Sequence, residues 1–272
     1  MSDTNPYQAP TANLATEAAA AAGTFRLINP RSVSIGHGWS WIADGFGHFK
    51  RNPGAWILLL IVGLLIFIAA SFVPIVGQIA VMGTTYVWFA GIILGCRAQD
   101  NGEDFKLEHL FAGFSSKPGQ LILLSIFTAV VGVIVVIITM GPVFMDLIAM
   151  SSKGGQPDPE AMQQLTNQFP NPGDFFKTWL LTMLCTIPLY MAVWFAPALI
   201  VLNDVPLLRA LKLSFIGCLK NILPFLLYFI IGMTLYMLSA LPLLLGLLVF
   251  LPTMLASLYT SYTDIFIDRS EA

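Results

Sequence analysis

The chain has 272 residues, of which 57% are apolar and only 10% charged, and its mean hydropathy is +0.78. Soluble domains carry about a quarter charged residues, and a globule of this size cannot hide so much apolar surface from water, so a water-soluble fold is excluded. A net charge of −2 and a pI near 5.9 argue against nucleic acid, which calls for a basic patch.

Residues 1–36 read as a disordered cytoplasmic tail. Their one apolar run is alanine, and no basic region precedes it, so the hydrophobic core of a secretory signal is missing. The stretch Asn5-Pro6-Tyr7-Gln8-Ala9-Pro10 is either solvated tail or a short docking peptide. Residues 37–272 read as one membrane domain.

A first amphipathic helix precedes the apolar region. Trp39, Ile42, Phe46 and Phe49 recur at spacings of three and four, one face of a helix, and Lys50 and Arg51 follow as interfacial anchors. Gly45 and Gly47 count against the helix. Further along, four stretches lack Asp, Glu, Lys, Arg and His: 52–96, 118–145, 178–203 and 221–263. A crossing takes about 20 apolar residues, so the first and last are each long enough for two. Pro74 with Gly77, and Pro242 with Gly246, place a turn in the middle of each. The fold class expected is therefore all-α, a bundle of six spans at about 54–74, 77–97, 119–146, 175–202, 222–241 and 246–266.

Two more interfacial helices are expected on the cytoplasmic side. Leu107, Leu110, Phe111 and Phe114 form a stripe between spans two and three. Before span five, Asn203 or Asp204 can cap a helix that opens with Pro206 and presents Leu208, Leu211 and Phe215, with Arg209, Lys212 and Lys220 as its basic residues. With the N terminus inside, Arg26, Arg31, Lys50, Arg51, Arg97, Lys106, Lys117, Arg209, Lys212, Lys220 and Arg269 all face the cytoplasm. Only Lys153 and Lys177 fall outside. Cytoplasmic loops are enriched in Lys and Arg, so this partition fixes both termini inside and also supports the count.

The first and last hairpins share a layout. At one offset of 169 residues, Phe46 matches Phe215, Arg51 matches Lys220, Asn52 matches Asn221, Gly63 matches Gly232 and Gly77 matches Gly246. This reads either as a parallel internal repeat or as two apolar hairpins that look alike.

Sites for chemistry are scarce. A charge at mid-bilayer is a functional hypothesis by default, but Asp146 and Asp264 both fall at span ends. His37, His48 and His109 have no ligand spacing, and Cys96, Cys185 and Cys218 lie far apart, which disfavours disulfide or zinc. Ser257, Ser261 and Asp264 make a polar stripe on span six that either lines a cavity or bonds neighbouring helices. Gly91 and Gly95 permit close helix approach, and Pro142, Pro188 and Pro197 can kink their helices. The candidates for interfacial docking are Trp39, Trp41, Asp44, Arg51, Asn52, Asp204, Lys212, Lys220 and Asn221. No nucleotide loop, HExxH, GxSxG or pocket of paired carboxylates is present, so an enzyme is not expected, and no cofactor is implied.

Several short patterns carry a resemblance: Trp39-Ser40-Trp41-Ile42-Ala43-Asp44-Gly45-Phe46 with Asn52-Pro53, Cys96-Arg97-Ala98, Phe111-Ala112-Gly113-Phe114, Phe195-Ala196-Pro197-Ala198-Leu199, Asp204-Val205-Pro206 with Ala210-Leu211-Lys212-Leu213-Ser214-Phe215, and Leu255-Ala256-Ser257-Leu258-Tyr259 with Ser261-Tyr262 and Asp264-Ile265-Phe266. Together the chain resembles uncharacterised six-span inner-membrane proteins of Gram-negative bacteria, related in outline to YciC-like proteins and to the membrane domain of some glycerophosphodiester phosphodiesterases. The resemblance implies a location and a layout and no activity. Two functions follow as expectations. One is a non-enzymatic membrane protein whose partners are membrane lipids or another membrane protein. The other is a transporter or channel for a weakly polar or lipidic substrate.

Overall fold

In a computed structural model of the chain, the described residues are 26–73, 75–152, 163, 172–241 and 244–268. They form an all-α bundle: α1 (His37–Arg51), α2 (Pro53–Ser71), α3 (Val76–Asp100), α4 (His109–Ser115), α5 (Pro118–Ser152), α6 (Pro172–Val193), α7 (Ala196–Asn203), α8 (Leu207–Lys220), α9 (Ile222–Ala240) and α10 (Leu247–Phe266). A short antiparallel ladder pairs β1 (Arg26–Leu27) with β2 (Ile267–Asp268), Arg26 opposite Asp268.

Five segments are long and apolar enough to cross a membrane: α2, α3, Pro118–Gly141 of α5, Gly173–Asn203 through α6 and α7, and α9. Only 11% of the α2 window and 17% of the α5 window are buried inside the chain, so their remaining apolar surface needs lipid rather than water. The sixth expected helix, α10, is present but too polar over its second half to join them. That half is buried instead, with Ser257, Tyr259, Thr260, Ser261, Tyr262 and Thr263 all inside the bundle.

The helices follow one repeating order: interfacial helix, long helix, long helix returning. It runs α1–α2–α3, then α4–α5–α6/α7, then α8–α9–α10. Each interfacial helix packs on a long helix: α4 on α3 and α8 on α6, which come before them in the chain, and α1 on α10. The last pairing skips the whole chain, and the β1–β2 ladder is what brings its two ends together. The layout first read in two hairpins therefore also fits the middle of the chain. The two outer hairpins match more closely. Ile75 (φ 65°) and Leu244 (φ 68°), 169 residues apart, both take the left-handed conformation in their turns. Two residues later, Gly77 lies against the Ala70 carbonyl and Gly246 against that of Ser239, where a Cβ has no room. Pro74 and Pro242 lie outside the described residues.

The interfacial helices bury only part of the faces their large apolar residues mark. On α1 the buried set is Gly38, Trp41, Ile42, Gly45, His48 and Phe49, while Trp39 and Phe46 are exposed. Gly45 is the reason: a Cβ there would stand 2.5 Å from the Thr253 carbonyl oxygen and 2.8 Å from the Ser257 nitrogen. The glycine that counts against a helix is what lets α1 lie on α10. On α8 the buried set is Ala210, Leu211, Ser214, Gly217 and Cys218, whereas Leu208 is 80% exposed and Phe215 half-buried. On α4 only Leu110 and Gly113 are buried; Phe111 and Phe114 are exposed and sit edge-on to Trp88. The Gly91/Gly95 pair is occupied inside the chain, by α4 and by the Phe105 ring.

Ser214 repairs the break between α6 and α7. Pro197 cannot donate a backbone hydrogen bond, and the chain bends at Trp194–Phe195. There the Ser214 hydroxyl donates to the Met191 carbonyl at 2.7 Å and accepts from the Phe195 N–H at 2.9 Å. Neither Asn203 nor Asp204 caps α8, contrary to expectation. Pro206 stands at its N-cap, and Asp204 ends α7 in the left-handed conformation (φ 54°).

Candidate functional site

The bonded polar residues concentrate at the end of the bundle that carries the β1–β2 ladder. Two elbows anchor it. At the α1–α2 junction, Asn52 accepts from the Ala55 N–H at 3.2 Å and donates to the Phe105 carbonyl at 3.0 Å. At the α8–α9 junction, Asn221 is fully buried. It accepts from the Val33 N–H at 2.9 Å and donates to the carbonyls of Arg31 at 2.9 Å and Gly217 at 2.8 Å. Both asparagines do one job, pinning an extended segment against the elbow of an interfacial helix.

This corrects the expected tail. Residues 26–36 are not free: Ile28 N–H bonds the Phe266 carbonyl, Arg31 N–H bonds that of Ile265, and Lys220 Nζ donates to the Pro30 carbonyl at 2.9 Å. Residues 1–25, with the Asn5–Pro10 stretch, lie outside the described residues.

Between this segment, α1 and the ends of α3 and α10 lies a polar cleft of about 390 Å³. Two carboxylates organise it. Asp264 sits near the end of α10 and accepts from Arg31 Nη2 at 3.1 Å, His37 Nδ1 at 2.7 Å and Trp41 Nε1 at 2.7 Å, while Arg31 Nε donates to its backbone carbonyl. Asp100 ends α3, accepts from Tyr259 at 2.9 Å and pairs with Arg51 at 3.3 Å. Each acid thus has an arginine, a nearby histidine and an aromatic donor.

His48 is the buried titratable group of the cleft wall. The Gln99 amide donates to the His48 carbonyl at 3.2 Å, which turns its oxygen to His48 Nδ1 at 2.9 Å and makes that nitrogen the donor. Nε2 then faces Asp100 at 3.5 Å. Burial lowers the imidazole pKa below its usual value, against the opposing pull of the Gln99 bond and the Asp100 charge. Asp44 is different. It lines the cleft, is exposed, and makes no hydrogen bond or ion pair among the described residues.

The expected site residues divide accordingly. Trp41, Asp44, Arg51 and Asp264 meet in the cleft. Trp41 is buried and serves Asp264 rather than a docking surface. Asn52, Lys220 and Asn221 hold the surrounding segments. Asp204 pairs with Lys117 at 2.7 Å away from the cleft, and Lys212 and Trp39 are exposed. Ser257 and Ser261 do not line the cleft; they are buried, Ser257 against the Tyr228 hydroxyl at 2.7 Å and Ser261 on its own helix. Thr260 and Thr263, one turn round the helix, reach the cleft with Asp264. Arg31, His37, His48 and Asp100 were not anticipated. Only the fold joins Arg31 to Asp264 across 233 positions of sequence.

Over 199 residues the chain is 28% identical to a protein of Burkholderia thailandensis named "probable inner membrane protein", an alignment covering 70% of this chain and 69% of that one. No family model and no solved structure matches. The five membrane-competent segments agree with that name. The chain is an all-α protein with membrane-competent helices, similar to a protein named for the inner membrane. Among its described residues no group of three His, Cys, Asp or Glu is arranged to hold a metal ion.

Proposed function

We propose that this is a six-span, non-enzymatic inner-membrane protein that binds a membrane component, lipid or protein, through the polar cleft, which faces the cytoplasm. The ladder supports the count. Pairing of Arg26–Leu27 with Ile267–Asp268 sets both ends of the described chain on one side, which takes an even number of crossings. Five candidate segments are evident by apolarity, and α10, 20 residues long, is the sixth. A buried helix tolerates polar residues that a lipid-facing one does not. The positive-inside bias supports the direction: Arg31, Arg51, Lys117 and Lys220 all make their contacts at the ladder end. The six-span layout also supports kinship with the YciC-like proteins.

The observation that carries the binding role is the cleft, where charges that are costly within a bilayer are gathered beside Asp44, which has no partner among the described residues. The test is purification from native membranes with identification of bound lipids and proteins, for the natural chain and for an Arg31→Gln/Arg51→Gln double variant. The natural chain should retain a component that the variant loses. Identical sets from both would refute the cleft as a site. A reporter fused after Ala272 should prove cytoplasmic.

A transporter of a lipidic substrate is the second reading. An apolar groove of about 490 Å³ beside α6, α8 and α9, lined by Tyr190, Trp194, Phe225 and Phe229, favours it. The burial of Ser257 and Ser261 removes the polar route it would need along α10.

A further inference from the structure

We propose that the cleft holds the headgroup of a zwitterionic phospholipid bearing a primary ammonium, with its phosphate on the free edge of Arg31 or Arg51 and its ammonium on Asp44. This rests on reading the cleft as a site for a membrane component, and it names that component.

Charge selects the class. Two arginines face three carboxylates, Asp44, Asp100 and Asp264, so the lining carries both signs with acids outnumbering arginines. A simple anion is disfavoured by that sum. A simple cation would meet the two guanidinium groups, whose side chains are 46% and 54% exposed. A group carrying both signs satisfies both.

The distribution of bonds selects the orientation. Asp264 is taken by Arg31, His37 and Trp41, and Asp100 by Arg51 and Tyr259. Arg31 spends Nε and Nη2 on Asp264, and Arg51 spends Nη1 on Gln99 and Asp100. The remaining edges make no bond among the described residues, and a guanidinium fork suits phosphate oxygens. Asp44, two helical turns before Arg51 and about 10.5 Å from it along the axis, is the acceptor left over. Ser40, one turn earlier, lines the same wall.

Donor chemistry separates primary from quaternary ammonium. Quaternary groups have no N–H and are held by aromatic faces. The aromatic of this lining, Trp41, is 1% exposed with its N–H already on Asp264, so it forms no cage. Exposed Ile35, Trp39 and Phe46 border the same helix, and aromatic residues of this kind sit at the headgroup level of bilayers. The source is therefore a lipid rather than a soluble phosphate ester.

The test is competition for the full-length protein in nanodiscs, read by native mass spectrometry, among phosphatidylethanolamine, phosphatidylcholine and phosphatidylglycerol, with soluble glycerophosphoethanolamine as a fourth ligand. A charge-assisted hydrogen bond corresponds to about tenfold or more in affinity, so phosphatidylethanolamine should lead each of the others by that factor. Asp44→Asn, at an exposed position, should erase the lead over phosphatidylcholine and raise phosphatidylglycerol retention, since one repelling carboxylate is gone. Equal retention of phosphatidylcholine, or an Asp44→Asn protein that still discriminates, would overturn the headgroup assignment. Equal binding of glycerophosphoethanolamine would overturn the lipid source. If Arg31→Gln/Arg51→Gln strips a different lipid, the cleft reading stands and this assignment falls. If it strips nothing, both fall.

Discussion

Asn221→Ala tests whether the ladder end is held by the elbow or by the ladder. Asn221 is fully buried, and its amide makes three hydrogen bonds, to Val33 N–H and to the carbonyls of Arg31 and Gly217. A net hydrogen bond contributes about 1 kcal/mol, and a buried group left unpaired costs about 1–3 kcal/mol. Three lost bonds therefore put the expected destabilisation near 3 kcal/mol. Asn52→Ala is the internal comparison. Asn52 is half-buried with two bonds, so its loss should fall nearer 1–2 kcal/mol on the same scale. The assay is denaturant unfolding in detergent micelles, paired with hydrogen exchange. Two of the three Asn221 bonds go to residues 31–33, so exchange should rise first over 26–36 while α2 and α3 stay protected. Equal losses from the two substitutions, or protection of residues 26–36 unchanged, would refute the assignment of Asn221 as the clasp.

Three other substitutions probe the rest of the structure. Gly45→Ala places a methyl 2.5 Å from the Thr253 carbonyl, a backbone atom that cannot step aside, so α1 must move off α10. The expected cost is about 1–3 kcal/mol, and an unchanged thermal midpoint would show that α1 does not pack as described. Ser214→Ala leaves the Met191 carbonyl and the Phe195 N–H unpaired in the α6–α7 bend, for about 1–3 kcal/mol, with increased exchange at Phe195 as its local signature. His48 has a lowered pKa in the folded chain, so the unfolded chain binds the proton more readily. Its contribution is complete above the unfolded value of about 6.5 and is lost as pH falls below it. His48→Asn should flatten stability against pH below 6.5, and a natural protein that gains stability from His48 on acidification would contradict the assignment.

The long helices were legible because bilayer physics acts on local sequence. A charge-free stretch of sufficient length has one stable use, and the bounds expected for α2, α3 and α9 stand within a few residues of those found. The hairpin turns were legible through Gly77 and Gly246, since a turn packed on a carbonyl excludes a Cβ wherever it occurs. The interfacial helices were legible as helices but only partly in their facing: Ile42, Phe49, Leu110 and Leu211 are buried as their spacing suggests. Large apolar residues mark a buried face in water, yet at a membrane surface Trp39, Phe46 and Leu208 can be outside. Close packing in a membrane protein selects small residues instead, and Gly45, Gly113, Ser214 and Gly217 follow that rule. The cleft was illegible for a different reason. Arg31 looks like tail, His48 like solvent and Asp100 like part of an acidic loop, and nothing local relates them.

The closure of the bundle explains why those residues meet where they do. In the first two units a covalent connection leads from the returning helix into the next interfacial helix, by 101–108 and by 204–206. After α10 the chain has no such successor among the described residues, and α1 fills that place from the other end of the sequence. The join is therefore made of hydrogen bonds: the ladder, Ile28 to Phe266, Arg31 to Ile265 and Asp264, and Asn221 to both Arg31 and Val33. A noncovalent join concentrates polar groups as a peptide connection does not. Asp264 illustrates this. At the end of a crossing helix a carboxylate can be read as a coupling site, but here it is taken by Arg31, His37 and Trp41, all from the N-terminal side of the join. Its first role is to hold the chain ends together. The cleft is the space left beside that junction, and Asp44, on the same helix as Trp41 but outside its bonding network, is the carboxylate left without a partner among the described residues.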